Sequence, residues 1–372
     1  MYIGVRRLLL LALLIGFTTG HAQVEPRTTV GGYGELHYNE PEGSALGQLD
    51  FHRFVLYVGH VFNDKLSFTS EIEIEHTLVE AGTDRGGELS LEQAFLDYRI
   101  RPPLGIRAGI LLPPVGLINL HHEPPTFNGV ERPSVDHVII PTTWREAGVG
   151  IYGTPTEQLD YQFYVLAGFD AAGFDARNGL RGGRQKAFMS NAANPSLTGR
   201  LDFSPEIGLQ LGASFFIGNS SAGNDSIGNP VVSLWSGDAR YTLDDLSLRG
   251  VAVVATINDA DKINAKFGRN VADRIYGYYV EAAYNILSPL CPESEQQVNL
   301  FARYEKYDTQ AATTGFPRLV QYNRNDVVLG ITYKPTHNTA FKFDYTFFNN
   351  ELNTDTFANA KQLNLGIGYY FF

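Results

Sequence analysis

The chain has 372 residues, 44% of them apolar and 19% charged, too rich in core-forming residues for a disordered polymer. Its single cysteine excludes an internal disulfide or a cysteine-rich metal site, while abundant Tyr (20), Phe (24) and Gly (38) suit short strands and turns better than long helices. A formal net charge of −11 repels phosphate backbones, so a nucleic-acid partner is not expected.

In chain order, Arg6-Arg7 precede an apolar run from Leu8 to Phe17, followed by Gly20-His21-Ala22. This charged, apolar, small-residue order predicts a secretory signal, residues 1–22, cleaved after Ala22. The run is too short to span a bilayer. No Cys stands near the cleavage point, which argues against a lipoprotein. Cleavage removes two Arg and no acid, leaving 27 basic against 40 acidic groups, a net charge of −13.

Residues 23–372 are expected to form one domain. No later apolar run approaches the ~18 residues a membrane helix needs, yet segments of roughly ten residues with alternating polarity recur to the end. We expect strands at 28–38, 48–62, 65–76, 88–100, 104–112, 144–154, 159–169, 196–203, 206–218, 231–243, 245–257, 274–287, 297–307, 326–334, 339–349 and 362–372. In the third, Leu66, Phe68, Ile72 and Ile74 share one face, and Glu71, Glu73 and Glu75 the other. In the ninth, Leu209 and Leu211 oppose Gln210. In the fifteenth, Phe343 and Tyr345 oppose Asp344. Alternation alone fits a soluble sandwich as well as a barrel. Connection lengths decide: short turns such as Asn63-Asp64, Arg101-Pro102-Pro103 and Ser204-Pro205 alternate with long segments such as Pro113–Thr143 and Asp170–Pro195. Tight turns at one rim and long loops at the other mark an outer-membrane barrel. The expected fold is therefore all-β, a transmembrane antiparallel β-barrel of about sixteen strands, wide enough for an aqueous channel. Phe371-Phe372 closes a last strand with Leu363, Leu365, Ile367, Tyr369 and Phe371 on one face, the aromatic ending by which such barrels are recognised for assembly.

Because a lipid-facing charge at mid-depth costs ~2–4 kcal/mol, the strand phases point Arg107, Arg200, Arg240, Arg249, Arg303, Lys334 and Lys342 into the lumen. Glu71, Glu73, Glu75, Glu146, Asp202, Asp238, Glu281, Glu305 and Asp344 join them. The 113–143 loop, stiffened by six prolines, is expected to fold inward as a constriction carrying His121, His122, Glu123, Glu131, Arg132, Asp136 and His137. Its histidines do not follow the His-Glu-x-x-His spacing, and adjacent His121 and His122 cannot both face one centre from a regular element, so no metal is expected. No cofactor is expected either. Ser134, Asp136 and His137 offer a weak hydrolase alternative. An adhesin or structural barrel would want aromatic-rich loops, whereas these are rich in Asn, Asp, Gly and Ser. The expected function is an outer-membrane channel for passive diffusion of small hydrophilic solutes or ions. Membrane lipid and lipopolysaccharide surround it, and a homotrimer is the expected assembly.

Gly31-Gly32-Tyr33-Gly34-Glu35-Leu36, Asp50-Phe51-His52-Arg53-Phe54, Leu66–Glu73 and Trp144-Arg145-Glu146-Ala147-Gly148 together resemble the phosphate-selective porin O and P family. The resemblance covers much of the first half. It implies a sixteen-stranded trimeric porin whose lumen carries an arginine ladder and a central lysine cluster. The 113–143 loop departs from that pattern, with no Lys and only Arg132 against Glu123, Glu131 and Asp136. The channel is accordingly expected not to prefer phosphate.

Overall fold

The computed structural model describes residues 25–43, 46–76, 87–354 and 358–372. The expected signal segment and its cleavage site lie outside these residues. Sixteen strands follow in order: β1 (Arg27–Pro41), β2 (Gln48–Val61), β3 (Leu66–Glu75), β4 (Leu89–Arg101), β5 (Leu104–Leu111), β6 (Glu146–Thr156), β7 (Leu159–Ala167) and β8 (Pro195–Glu206). The second half comprises β9 (Leu209–Asn219), β10 (Val231–Leu243), β11 (Leu246–Ile257), β12 (Arg274–Asn285), β13 (Gln297–Ala312), β14 (Asn323–Thr336), β15 (Thr339–Asn350) and β16 (Ala360–Phe371). Each pairs antiparallel with its sequence neighbours, and β1 closes on β16 through a register that includes Gly32 opposite Phe371. Closure leaves no unpaired edge, as a bilayer requires of a sheet. Two short helices, α1 (Ser134–Val138) and α2 (Ala260–Phe267), sit in the long loops. No helix among the described residues is long and apolar enough to cross a membrane.

Side-chain alternation sorts the wall into two faces. Ile72, Leu211, Leu329, Phe343 and Leu365 are exposed on the outer face, while Glu73, Asp238, Asp344 and Asn364 are buried inside. The strands β13 and β14 reach past their expected limits at 307 and 326, to Ala312 and from Asn323. There Asp308-Thr309-Gln310 and Asn323-Arg324-Asn325 are polar on both faces, so periodicity carried no signal.

The lumen departs from expectation in one respect. Instead of a wall polar throughout, β10, β11 and β12 turn Val232, Leu234, Val251, Val253, Ile257 and Ile275 inward. They form a continuous apolar core with loop residues Val135, Ile139, Ile140, Trp144, Phe169 and Phe174. This core seats the loops inside the barrel by burial of apolar surface, the largest favourable contribution available to an inserted segment.

Candidate pore

The 113–143 segment enters the barrel after β5 and reaches many sides of the wall. Gly116 N–H donates to Ser214 on β9 (3.2 Å), and its carbonyl accepts from Arg200 on β8 (2.9 Å). Asn128 Nδ2 donates to Glu281 on β12 (2.9 Å), Val130 N–H to Asp344 on β15 (2.7 Å) and Val135 N–H to Glu305 on β13 (3.1 Å). Glu131 accepts from His37 and Asn39 on β1, each at 3.1 Å. The close approach along β16 depends on glycine: a Cβ at Gly368 would lie 2.3 Å from Pro124 Cβ, and one at Gly366 3.0 Å from Val130. Thus the wall carboxylates Glu281, Glu305 and Asp344 accept loop donors as well as facing cations.

Most lumen arginines are held by acids. Arg200 is bidentate to both Asp202 and Asp238, with four contacts of 2.7–2.8 Å. Arg303 reaches Glu305 (2.7 Å) and Glu281 (3.2 Å), Arg107 is bidentate to Asp97 (2.7 and 3.0 Å), and Arg249 meets Glu281 at 3.1 Å. The two-pronged contacts of Arg200 and Arg107 are the geometry in which guanidinium binds carboxylate best. The remaining cations differ. Arg240 bonds the neutral Gln210, and Lys334 donates to the Pro125 carbonyl (2.7 Å). Lys342, buried, lies over the Phe127 ring (3.8 Å to its centre) and has no hydrogen-bond partner among the described residues.

Glu73 pairs with Arg53 (3.1 Å), and Glu75 lines a cavity of about 370 Å³ with Glu35, His37, His52 and Arg132. Glu146 is buried at the loop-bearing rim, where it accepts from the Gln185 N–H (2.9 Å). Glu71 stands beside Glu92 and His122. The loop histidines separate: His122 is buried against the wall, whereas His121 and His137 are open to water. Arg132 reaches toward the His122 carbonyl (3.5 Å), and Glu123 is half-buried. Asp136 is fully buried near the Tyr279 hydroxyl, and burial pushes its carboxyl up to about 7. With Asp136 buried and His137 exposed, no hydrogen bond among the described residues links Ser134, His137 and Asp136 into a relay.

The sequence reading missed Glu35, His37, Arg53 and Glu92. The first two lie on the inward face of β1 with Tyr33, an alternation present in Tyr33-Gly34-Glu35-Leu36-His37. Glu92 was hidden by a β-bulge, because Glu71 pairs with Gln93 but Ile72 with Leu91, leaving Glu92 as the extra residue. A second bulge leaves His52 extra between Arg53 and Phe51. It puts His52 beside Asp50 (3.2 Å), which also meets His76 at 2.7 Å.

Solved structures with this architecture include Salmonella typhi OmpF in complex with daunomycin (TM-score 0.61, 13% identity, 92% of this chain and 97% of that one). The anion-selective porin from Comamonas acidovorans gives a TM-score of 0.58 at 13% identity, over 93% of this chain and 100% of that one. The outer-membrane channel DcaP of Acinetobacter baumannii gives 0.57 at 11% identity, over 93% and 97%. No family model matches the chain. An uncharacterized protein of Aquifex aeolicus (strain VF5) is 39% identical over 337 residues, covering 87% of this chain and 76% of that protein. The chain therefore belongs to the same protein family as the Aquifex aeolicus protein, and its closed barrel has the porin fold.

Proposed function

We propose that this protein is an outer-membrane porin, a water-filled channel through which small hydrophilic solutes and ions diffuse passively. The observation that carries the reading is the 113–143 loop, bonded to the inner wall of a closed sixteen-strand barrel through Glu281, Asp344 and Glu305. A loop held there narrows a lumen without needing to seal it. Half-buried charged groups occupy both ends of the interior: Arg240, Arg249 and Lys334 near the short turns, Glu75, Glu131 and Arg132 toward the long loops. Such a mixed-sign passage selects by size and charge rather than by a tight site. Export by the 1–22 signal, a lipid and lipopolysaccharide surround and a homotrimer belong to the same proposal. A trimer form of Vibrio cholerae OmpT, an outer membrane protein, has this architecture (TM-score 0.53, 11% identity, 93% of this chain and 99% of that one) and supports the last point. The resemblance to phosphate-selective porins is kept for the barrel and set aside for the solute, since Arg107, Arg200, Arg249 and Arg303 are each paired with acids.

Planar-bilayer recording tests the reading. We expect discrete steps of roughly ohmic conductance, with the reversal potential in a salt gradient giving the sign of selectivity. A folded barrel that inserts and passes no ions would overturn it.

A further inference from the structure

Glu92 is fully buried at the β4 bulge, and a bulge re-aims a side chain that regular pairing would send elsewhere. Its Oε2 accepts from the Tyr33 hydroxyl at 3.1 Å. Its Oε1 lies 3.0 Å from His122 Nε2. The two form an ion pair when the ring is protonated, and neither atom has another partner among the described residues. The other ring nitrogen of His122 faces the Asn119 carbonyl at 3.2 Å. A carbonyl only accepts, so Nδ1 carries a proton, and Nε2, aimed at the Glu92 carboxylate, is left to hold either a second proton, as an ion pair with Glu92, or a metal ion. Glu71 completes the group, its ligand atom and those of Glu92 and His122 all lying within 4.8 Å of one another.

Glu92 and His122 are buried and Glu71 is half-buried, and two carboxylates brought together there need a cation between them, which is either a proton on His122 Nε2 or a metal ion that replaces it. We propose that Glu71, Glu92 and His122 form a binding site for a divalent first-row transition metal such as zinc. One imidazole nitrogen with carboxylate oxygens is the donor set of such ions, whereas calcium takes oxygen alone. The surroundings are those of a ligand set: a backbone carbonyl fixes the histidine tautomer and a tyrosine hydroxyl holds the carboxylate. The cluster at Asp50, His52 and His76 differs, because there each histidine Nδ1 is already bonded to Asp50. His122 belongs to the inserted loop, Glu71 to β3 and Glu92 to β4. A bound ion would therefore clip the loop to the wall.

The test is zinc titration of the folded, metal-stripped barrel against a chromophoric chelator, with cobalt as a spectroscopic probe. We expect one tight site, weakened more than about 100-fold in His122→Ala and in Glu92→Gln, and about 10-fold in Tyr33→Phe, where the ligands survive but their support does not. His76→Ala, which dismantles the other cluster, should leave the affinity unchanged. Cobalt should show a visible ligand-field band that His122→Ala abolishes. Should His122→Ala fail to fold, Glu71→Gln and Tyr33→Phe decide the matter. Absence of stoichiometric zinc binding, or binding indifferent to the His122, Glu92 and Glu71 changes, would overturn the proposal. The site does not rest on the pore reading: zinc bound here by a barrel that conducts nothing would sustain the site and defeat the channel.

Discussion

At the scale of single residues, the worth of a lumen charge depends on what faces it. Arg303 is buried between Glu281 and Glu305 and also donates to the Asn128 carbonyl at 3.3 Å. Replacing it with Met leaves two buried acids short of their cation, which costs about 3–5 kcal/mol when one member of a buried pair is lost. Lys342 is the opposite case, an ammonium without an ion-pair or hydrogen-bond partner among the described residues, set over the Phe127 ring. A desolvated cation–π contact contributes about 2 kcal/mol. Burying an unpaired ammonium costs a similar amount or more. Lys342→Met should therefore change stability by less than about 1 kcal/mol, or raise it. Urea unfolding of the two variants in lipid vesicles checks the contrast; equal losses would mean that pairing does not set these energies.

At the scale of elements, the inserted loop is held by apolar burial on the β10–β12 side and by donors to Glu281, Asp344 and Glu305 elsewhere. Deleting residues 121–137 removes the donors together with the polypeptide that fills the lumen, and water can then solvate the exposed acids. Single-channel conductance should rise severalfold, and an unchanged value would place the loop outside the conducting path. The strands were readable in the sequence because lipid on one side imposes a period of two, which is why all sixteen appear near their expected limits. The loop's entry was readable too, from its length and prolines. Its seat was not, since Asn128, Val130 and Val135 meet partners more than a hundred residues away. One available signal went unused: Val251-Ala252-Val253-Val254-Ala255 is apolar on both faces, the mark of a strand covered on both sides. Bulges hid the rest. An extra residue in β2 and in β4 reverses the phase beyond it, so strict alternation cannot foretell that His52 and Glu92 point inward.

At the scale of the whole molecule, the question is what the interior field does to a passing anion. Selective capture of phosphate needs several free cations converging on one narrow point, because their donors must replace the water lost by a doubly charged oxyanion. Here Arg200 is taken up by two aspartates, Arg303 by two glutamates, Arg107 by Asp97 and Arg249 by Glu281. Arg240 and Lys334 keep their charge uncancelled, each bonded to a neutral oxygen, and Lys342 is shut away from water. The inserted loop adds Glu123, Glu131 and Asp136 against a single arginine. Arg240 and Lys334 suffice to bias small anions weakly near the turn-side rim, and Arg132, bonded only to the His122 carbonyl, stands toward the other end, so the three do not form a cage. Chloride current should therefore persist when micromolar phosphate is added to either side, with only a shallow, unsaturated decline as phosphate reaches millimolar levels. Saturable block at micromolar phosphate would show that Arg240, Lys334 and a mobilised Lys342 converge after all, and that the carboxylates described above do not neutralise the lumen.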